Sequence, residues 1–255
     1  MTYGMQISAS GAQAAMFRQD SITANLANLG TVGFKPVMAS AVHREHVRAE
    51  DNLWNMPSDT LLEQLGGGVF SGRTVVNFKQ GALETTGNPL DLAVQGEGFF
   101  TVGDGANPAL TRDGRFTLDS NNRIVMSTSG LPLLDDAGDE IEVDPALGPL
   151  NINGNGAIEQ SGAIIATVGL ADVPDRSSLI KVGGGLFADQ SGQPLGLTPA
   201  TGMIRQNMVE SSAVDEIGAM MQISAASKSA QSNIGMIDMQ NRMLDRLVNT
   251  YARLS

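Results

Sequence analysis

Residues 219–251 read AMMQISAASKSAQSNIGMIDMQNRMLDRLVNTY. Apolar or small residues recur along one stripe at Ala219, Ile223, Ala226, Ala230, Ile234, Ile237, Asn241, Leu244, Val248 and Tyr251. The steps are all three or four, the spacing of a coiled-coil seam. A second stripe runs through Met236, Met239, Met243, Leu247 and Leu254. Ser211 or Ser212 is placed to cap the helix, and Asp215 and Glu216 suit its positive N-terminal end. A helix over 213–253 is roughly 60 Å long at about 1.5 Å per residue. A helix apolar on two sides needs more than one neighbour. One cover is available at the other end of the chain. Met5, Ala9, Ala12, Met16, Ile22, Leu26 and Leu29 repeat mostly at helical spacing, until Gly30, Gly33 and Pro36 end the pattern. The second stripe is expected to pack between molecules, since the chain offers no third long helix.

Punctuation separates these ends from the middle. All 10 prolines lie between Pro36 and Pro199, and 24 of the 30 glycines lie between Gly66 and Gly202. Short apolar or alternating runs fill that interval: Val75–Phe78, Leu90–Val94, Gly98–Val102, Arg115–Leu118, Arg123–Met126, Glu140–Val143, Leu150–Ile152 and Ile164–Leu170. Asp119-Ser120-Asn121-Asn122 reads as a hairpin turn between two of them. No helical pattern alternates with these runs, which excludes a parallel α/β sheet. The expected fold is α+β. Long terminal helices pack as a coiled-coil-like pair around a central all-β domain of sandwich or barrel type. The expected divisions are an N-terminal helix over 1–35, an extended arm over 36–67 that gains order on assembly, a β domain over 68–205 and a C-terminal helix over 206–255.

Charge and composition narrow the function. The net charge is −11, which disfavours nucleic-acid backbones and anionic membrane surfaces as partners. There is no cysteine, so neither disulfides nor thiol catalysis are available. No basic residue precedes Arg18 and no apolar run of signal-peptide length follows the start, so a Sec-type signal is not expected. Catalytic patterns fail one by one. His43 and His46 could share a helix face, but they sit in the most polar stretch of the chain and read as a solvated arm. Gly96-Glu97-Gly98 leads into a strand, whereas a dinucleotide loop leads into a helix. Asp135 to Glu140 lacks the glycine at the sixth position of a calcium loop and reads as a turn. With 11 aromatic residues and one Trp, platforms for a sugar cleft are scarce. No cofactor, metal or small-molecule substrate is expected, and the chain reads as a non-enzyme.

Three blocks carry a family resemblance. Residues 22–35, ITANLANLGTVGFK, resemble the N-terminal signature of bacterial flagellar axial proteins, through Asn25, Leu26, Asn28, Gly33, Phe34 and Lys35. Residues 86–100 resemble a second family block through Asn88, Pro89, Leu90, Asp91, Gly96, Gly98, Phe99 and Phe100. A third follows in Leu110–Phe116, with Arg112, Asp113 and Gly114. In the C-terminal helix, Lys228 falls near the family's usual Arg, and Ala230 replaces its usual aromatic. The length and the compact middle resemble a rod subunit rather than a hook subunit. The connection over Gly202–Glu210 resembles the proximal more than the distal type.

The resemblance implies a structural subunit of the basal-body rod. Such subunits stack helically, with terminal helices forming an inner tube and the β domain outside, into a hollow shaft that carries torque from motor to hook. It implies export through the flagellar type III apparatus to a rod spanning the periplasm. The partners are further copies and other rod or hook axial subunits. The residues expected to pack subunits are Met5, Ala12, Met16, Leu26, Leu29, Ile223, Ile234, Ile237, Met236, Met239, Met243, Leu244 and Leu247. The rival reading is a secreted β-domain binding module or hydrolase, oligomerised through its terminal helices.

Overall fold

The computed structural model describes residues 2–45, 49, 66–104, 108–190 and 195–251. These divide into two compact units. One holds the described residues of Met1–Ala27, Val37–Val75 and Asp215–Ser255; the other holds Asn28–Pro36 and Val76–Val214. The first strands therefore belong with the helices, and residues 28–36 belong with the β unit. The boundaries at 35, 68 and 205 lie elsewhere in space than along the chain.

The helical unit pairs α1 (Thr2–Ala27) with α2 (Glu216–Tyr251). Asp215, not Ser211 or Ser212, caps α2: its carboxylate accepts the Gly218 N–H at 3.2 Å and its carbonyl the Ala219 N–H at 2.8 Å. The buried positions on α1 are Ser8, Ala12, Ala15, Ile22 and Asn25; on α2 they are Ala219, Ala226 and Ala230. Small side chains let the two helices come close. A Cβ built on Gly4 would stand 2.7 Å from the Gln240 amide nitrogen, and one on Gly11 would stand 3.0 Å from that of Asn233. Both glycines and both amides are seven residues apart, two turns of helix, so each amide seats on a glycine.

The seam of α2 thus runs through Ala219, Ile223, Ala226, Ala230, Asn233, Ile237, Gln240 and Leu244. It departs from the expected stripe at three places, one of them Val248, which is 67% exposed. Ile234 is 41% exposed and Asn241 is exposed, while the neighbouring Asn233 and Gln240 amides take the seats on the α1 glycines. On α1, Ser8 and Ala15 take the inward places expected of Ala9 and Met16, both of which are exposed.

Two strands complete this unit, β1 (Val37–His43) paired with β2 (Val69–Val76). Asn25 holds β1 by a two-way bond: its amide donates to Val37 O at 2.7 Å and its carbonyl accepts the Val37 N–H at 2.8 Å. Ser10 Oγ accepts the Val69 N–H at 3.2 Å. Part of the expected arm is therefore a strand. His43 lies exposed on β1, and His46 lies outside the described residues.

The β unit holds β3 (Leu83–Thr85), β4 (Leu92–Gln95), β5 (Phe99–Val102), β6 (Ala109–Thr111), β7 (Phe116–Leu118), β8 (Ile124–Met126), β9 (Asn151–Ile152), β10 (Ala157–Gln160), β11 (Ala163–Thr167), β12 (Leu170–Asp172), β13 (Leu179–Gly183), β14 (Leu186–Asp189), β15 (Thr198–Pro199), β16 (Met203–Gln206) and β17 (Met208–Glu210). Six form an open sheet in the order β13-β14-β6-β5-β12-β15. Three more form β11-β10-β9, and the rest pair as β16-β4, β17-β3 and β7-β8. Every pairing within this unit's sheets is antiparallel.

Strand β5 lies between two cores, because successive side chains leave a strand on opposite faces. Phe100 enters a cluster with Phe116, Ile124, Met126, Leu133 and Ile158, and its ring meets Phe116 edge-on at 5.4 Å. Phe99 enters the other with Leu110, Leu179 and Phe187, and meets Phe78 edge-on at 5.4 Å. The expected hairpin turn is present: Asp119 accepts the Asn121 and Arg123 N–H groups at 2.8 and 2.9 Å. Glu140–Val143, expected as a strand, makes only single bridges, from Glu140 to Leu134 and from Glu142 to Arg123. Asp135 heads a turn, accepting the Ala137 and Asp139 N–H groups at 2.9 and 2.8 Å.

Candidate functional site

The blocks that carry the resemblance are far apart in sequence, yet Lys35 of the first and Arg112 of the third meet at one buried carboxylate, Glu210, and Arg112 also reaches Gly96 of the second. Lys35 Nζ donates to Glu210 Oε1 at 2.5 Å and to the Lys79 carbonyl at 2.9 Å. Arg112 donates to Glu210 Oε2 at 3.0 Å and to the Gly96 carbonyl at 2.8 Å. The Gly81 N–H adds a third donor, 2.7 Å from Oε1. Lys35 and Glu210 side chains are each 1% exposed. Burial pulls the pKa of both cations below their ordinary values, and Glu210 opposes it by charge and hydrogen bonding. Each charge is thus desolvated and depends on the others.

The same carboxylate residue ties down the chain crossings. Its carbonyl accepts the Gly33 N–H at 2.7 Å, and three residues on, the Ala213 N–H donates to Phe34 O at 3.0 Å. Segments 28–36 and 207–214 therefore run side by side, one following α1 and the other preceding α2 in the chain. Gly33 has φ +67°, and a Cβ there would lie 2.3 Å from the Arg112 carbonyl, so no other residue fits this crossing.

The remaining motif residues build the surroundings of this clasp. Asn88 accepts the Leu90 N–H at 3.1 Å and donates to Asp91 at 2.9 Å, forming a turn with Pro89 exposed at its tip. Leu90 packs against the larger core. Asp113 takes Arg115 through Nε and Nη2 at 3.0 and 2.8 Å, and the Thr128 hydroxyl at 2.9 Å. Gly114 is buried and accepts the Leu92 N–H at 2.9 Å. Gly98 is buried at the start of β5. Asn28 opens the turn after α1, accepting the Thr31 N–H at 3.2 Å and its hydroxyl at 3.3 Å. Leu29 falls in that turn, past the helix end, and is half-buried. Lys181 Nζ lies 3.4 Å from the Phe34 ring centroid, buried with no hydrogen-bond partner. Burial lowers its pKa from 10.5 to about 8, while the ring face favours the cation.

The residues expected to pack subunits fall into two sets. Ala12 is buried, and Met5, Leu26, Ile223, Ile237 and Leu244 are half-buried within the helical unit. Met16, Ile234, Met236, Met239, Met243 and Leu247 are exposed. Met236, Met239 and Met243 share one side of α2, with Leu247 on its continuation. Met221 joins them, because it stands 18 residues, or five turns, before Met239. These four methionines are 50 to 69% exposed. Among the described residues, no three His, Cys, Asp or Glu side chains cluster as metal ligands would.

Sequence reasoning missed Glu210, Asn233, Gln240 and Met221. The seven-residue repeat of Gly4 and Gly11 was a signal for the two amides. Glu210 ends a three-residue strand with no local pattern to mark it.

The comparisons with known proteins bear on the same regions. Residues 5–35 match the family model of the flagella basal body rod protein, and residues 93–160 match that of the flagellar hook protein FlgE/F/G D1 domain. Lys35 lies in the first match and Arg112 in the second. The chain is 31% identical to the flagellar basal-body rod protein FlgF of Caulobacter vibrioides, over 86% of this chain and 85% of that one. It is 28% identical to FlgF of Mesorhizobium japonicum over 98% of both. It is 32% identical to the basal-body rod protein FlgG of Buchnera aphidicola subsp. Schizaphis graminum, over 97% of this chain and 99% of that one. The chain belongs to the flagellar basal-body rod protein family. It is a structural subunit of the flagellar basal body, not an enzyme, and nothing in the relatives supports the binding-module or hydrolase reading.

Proposed function

We propose that this subunit assembles helically with copies of itself and other axial subunits into the hollow shaft that carries torque from motor to hook. The observation that carries this is the second apolar side of α2. Its first side is filled by α1, and the stripe through Met221, Met236, Met239, Met243 and Leu247 has no cover among the described residues. Helices of neighbouring subunits supply that cover in the wall of the tube, with Met16 of α1 as a further contact. The clasp suits a load-bearing part, since its buried ion pairs join the segment that follows α1 to the one that precedes α2. Lys228, near the place of the family's usual arginine, lies exposed on α2.

The proximal rod is the favoured place. In support, residues 203–210 pass straight through β16 and β17 onto β4 and β3, leaving no spare chain for a longer approach to α2. Export through the type III apparatus is the route that membership of this family implies.

The test is a null strain complemented with Met239→Asp or Met239→Leu. An unpaired charge at a packed site is costly, whereas a volume-conserving apolar swap usually costs under about 1.5 kcal/mol. The Asp strain should be non-motile with basal bodies lacking the subunit, and the Leu strain motile. A motile Asp strain would show that this side of α2 faces water in the rod.

A further inference from the structure

We propose that the outer side of α2 is an oxidation site, at which conversion of methionine to its sulfoxide bars the subunit from assembly. The proposal rests on reading that side as a packing surface. It concerns the subunit before incorporation, when the stripe is open to solvent.

Four thioethers stand on one side of one helix: Met221 at 69% exposure, Met236 at 50%, Met239 at 59% and Met243 at 53%. A fifth sulfur, that of Met126, is fully buried in the β unit and serves as an internal reference. No cysteine is present to react first. The oxidant is a two-electron donor of oxygen, such as hydrogen peroxide. The sulfur lone pair attacks one peroxide oxygen; the S–O bond forms as the O–O bond breaks. The departing hydroxide takes up the proton lost from the new S–OH group and leaves as water. Sulfur is oxidised by two electrons and the peroxide is reduced by two.

The consequence is one of solvation. A thioether is polarizable and apolar and fills irregular gaps between helices. A sulfoxide carries a strong acceptor oxygen, which loses water on packing at a cost that methionine, leucine and alanine side chains do not offset. Asn233 and Gln240 do not relieve this, since they point to the glycines of α1. Enzymatic reduction of the sulfoxide would restore the apolar surface, so the block is reversible.

The full chain treated with hydrogen peroxide, digested and analysed by mass spectrometry, should show the sulfurs of Met221, Met236, Met239 and Met243 oxidised at least about tenfold faster than Met126. In a complemented null strain, a peroxide pulse during induction should lower the amount of subunit entering basal bodies. A chain with Leu at all four positions should enter normally and be indifferent to the pulse. A chain with Gln at all four, which imitates the sulfoxide, should fail to enter without any oxidant. Methionine sulfoxide reductase should return the oxidised full chain to its original mass. The proposal is overturned if the four sulfurs react no faster than Met126. It is equally overturned if the Leu chain is as sensitive to the pulse as the natural one, or if the Gln chain enters basal bodies. Failure of the packing reading shows separately, as incorporation of Met239→Asp.

Discussion

One carboxylate, Glu210, pairs with two buried cations and caps the Gly81 amide, so the three charges stand or fall together. Glu210→Gln keeps the shape and leaves Lys35 and Arg112 buried without a counter-charge. Breaking a buried pair from one side costs about 3–5 kcal/mol. The urea midpoint of the β unit should fall accordingly, followed by Phe fluorescence or near-UV circular dichroism. An unchanged midpoint would mean that water or backbone carbonyls already satisfy the cations.

Lys181 gives a second test at this scale. Its folded pKa, about 8, lies below 10.5 for the unfolded chain, so between these values the unfolded chain binds more protons. Stability should therefore rise with pH through that window, and the penalty should be fully present below about 8. Lys181→Met should flatten the rise in melting temperature between pH 7.5 and 10 relative to the natural chain, with Lys35 contributing equally to both. Equal slopes would place the Lys181 amine in water. Lys35 and Arg112 were legible as members of family blocks, but their shared partner was not. A lone glutamate in a short strand carries no periodicity, and only the tertiary pairing of β17 with β3 brings it inward.

At the scale of elements, periodicity located both helices and missed the facing of one of them. Counting apolar residues favoured Ile234 and Asn241, while the fold uses Asn233 and Gln240. The reason is steric: the partner helix offers glycines at Gly4 and Gly11, and an amide fits there. Ile234→Asp should accordingly change the helix-pair stability by no more than about 0.5 kcal/mol, as for other surface substitutions. Gly11→Leu should cost about 1–3 kcal/mol through overpacking against Asn233. Thermal melting followed at 222 nm distinguishes them; the reverse ranking would restore the apolar stripe as the seam. Strands were legible where side chains alternate or cluster, as in β4, β5, β7 and β8. The strands β3, β6, β15, β16 and β17 were not, because their residues carry no marked apolar run and their place is set by the strand each pairs with.

For the molecule as a whole, the two units should differ in stability. The helical pair buries mostly alanine and serine, each contributing little apolar area, and leaves the methionine stripe uncovered. The β unit has two aromatic-rich cores. The free chain should melt in two steps, helices first. Limited proteolysis should remove α1 and α2 while leaving a core that extends through about residue 214, since β16, β17 and the Glu210 clasp hold that segment. A core that stops before 203 would show that the clasp does not survive loss of the helices. The division into helical ends and a β middle was legible from where proline and glycine fall. That residues 28–36 join the β unit and 37–45 the helical one was not, because both depend on long-range bonds through Gly33 and Asn25.

The central claim is that α2 is covered on one side by its own chain and on the other by neighbours in the rod. Because the natural chain has no cysteine, Met239→Cys introduces a unique thiol. Maleimide labelling of the purified subunit, compared with labelling of intact isolated basal bodies, measures that cover directly. The account predicts rapid labelling of the free subunit and strong protection in the basal body, with protection lost when the basal body is dissociated. Equal labelling in both states would contradict it.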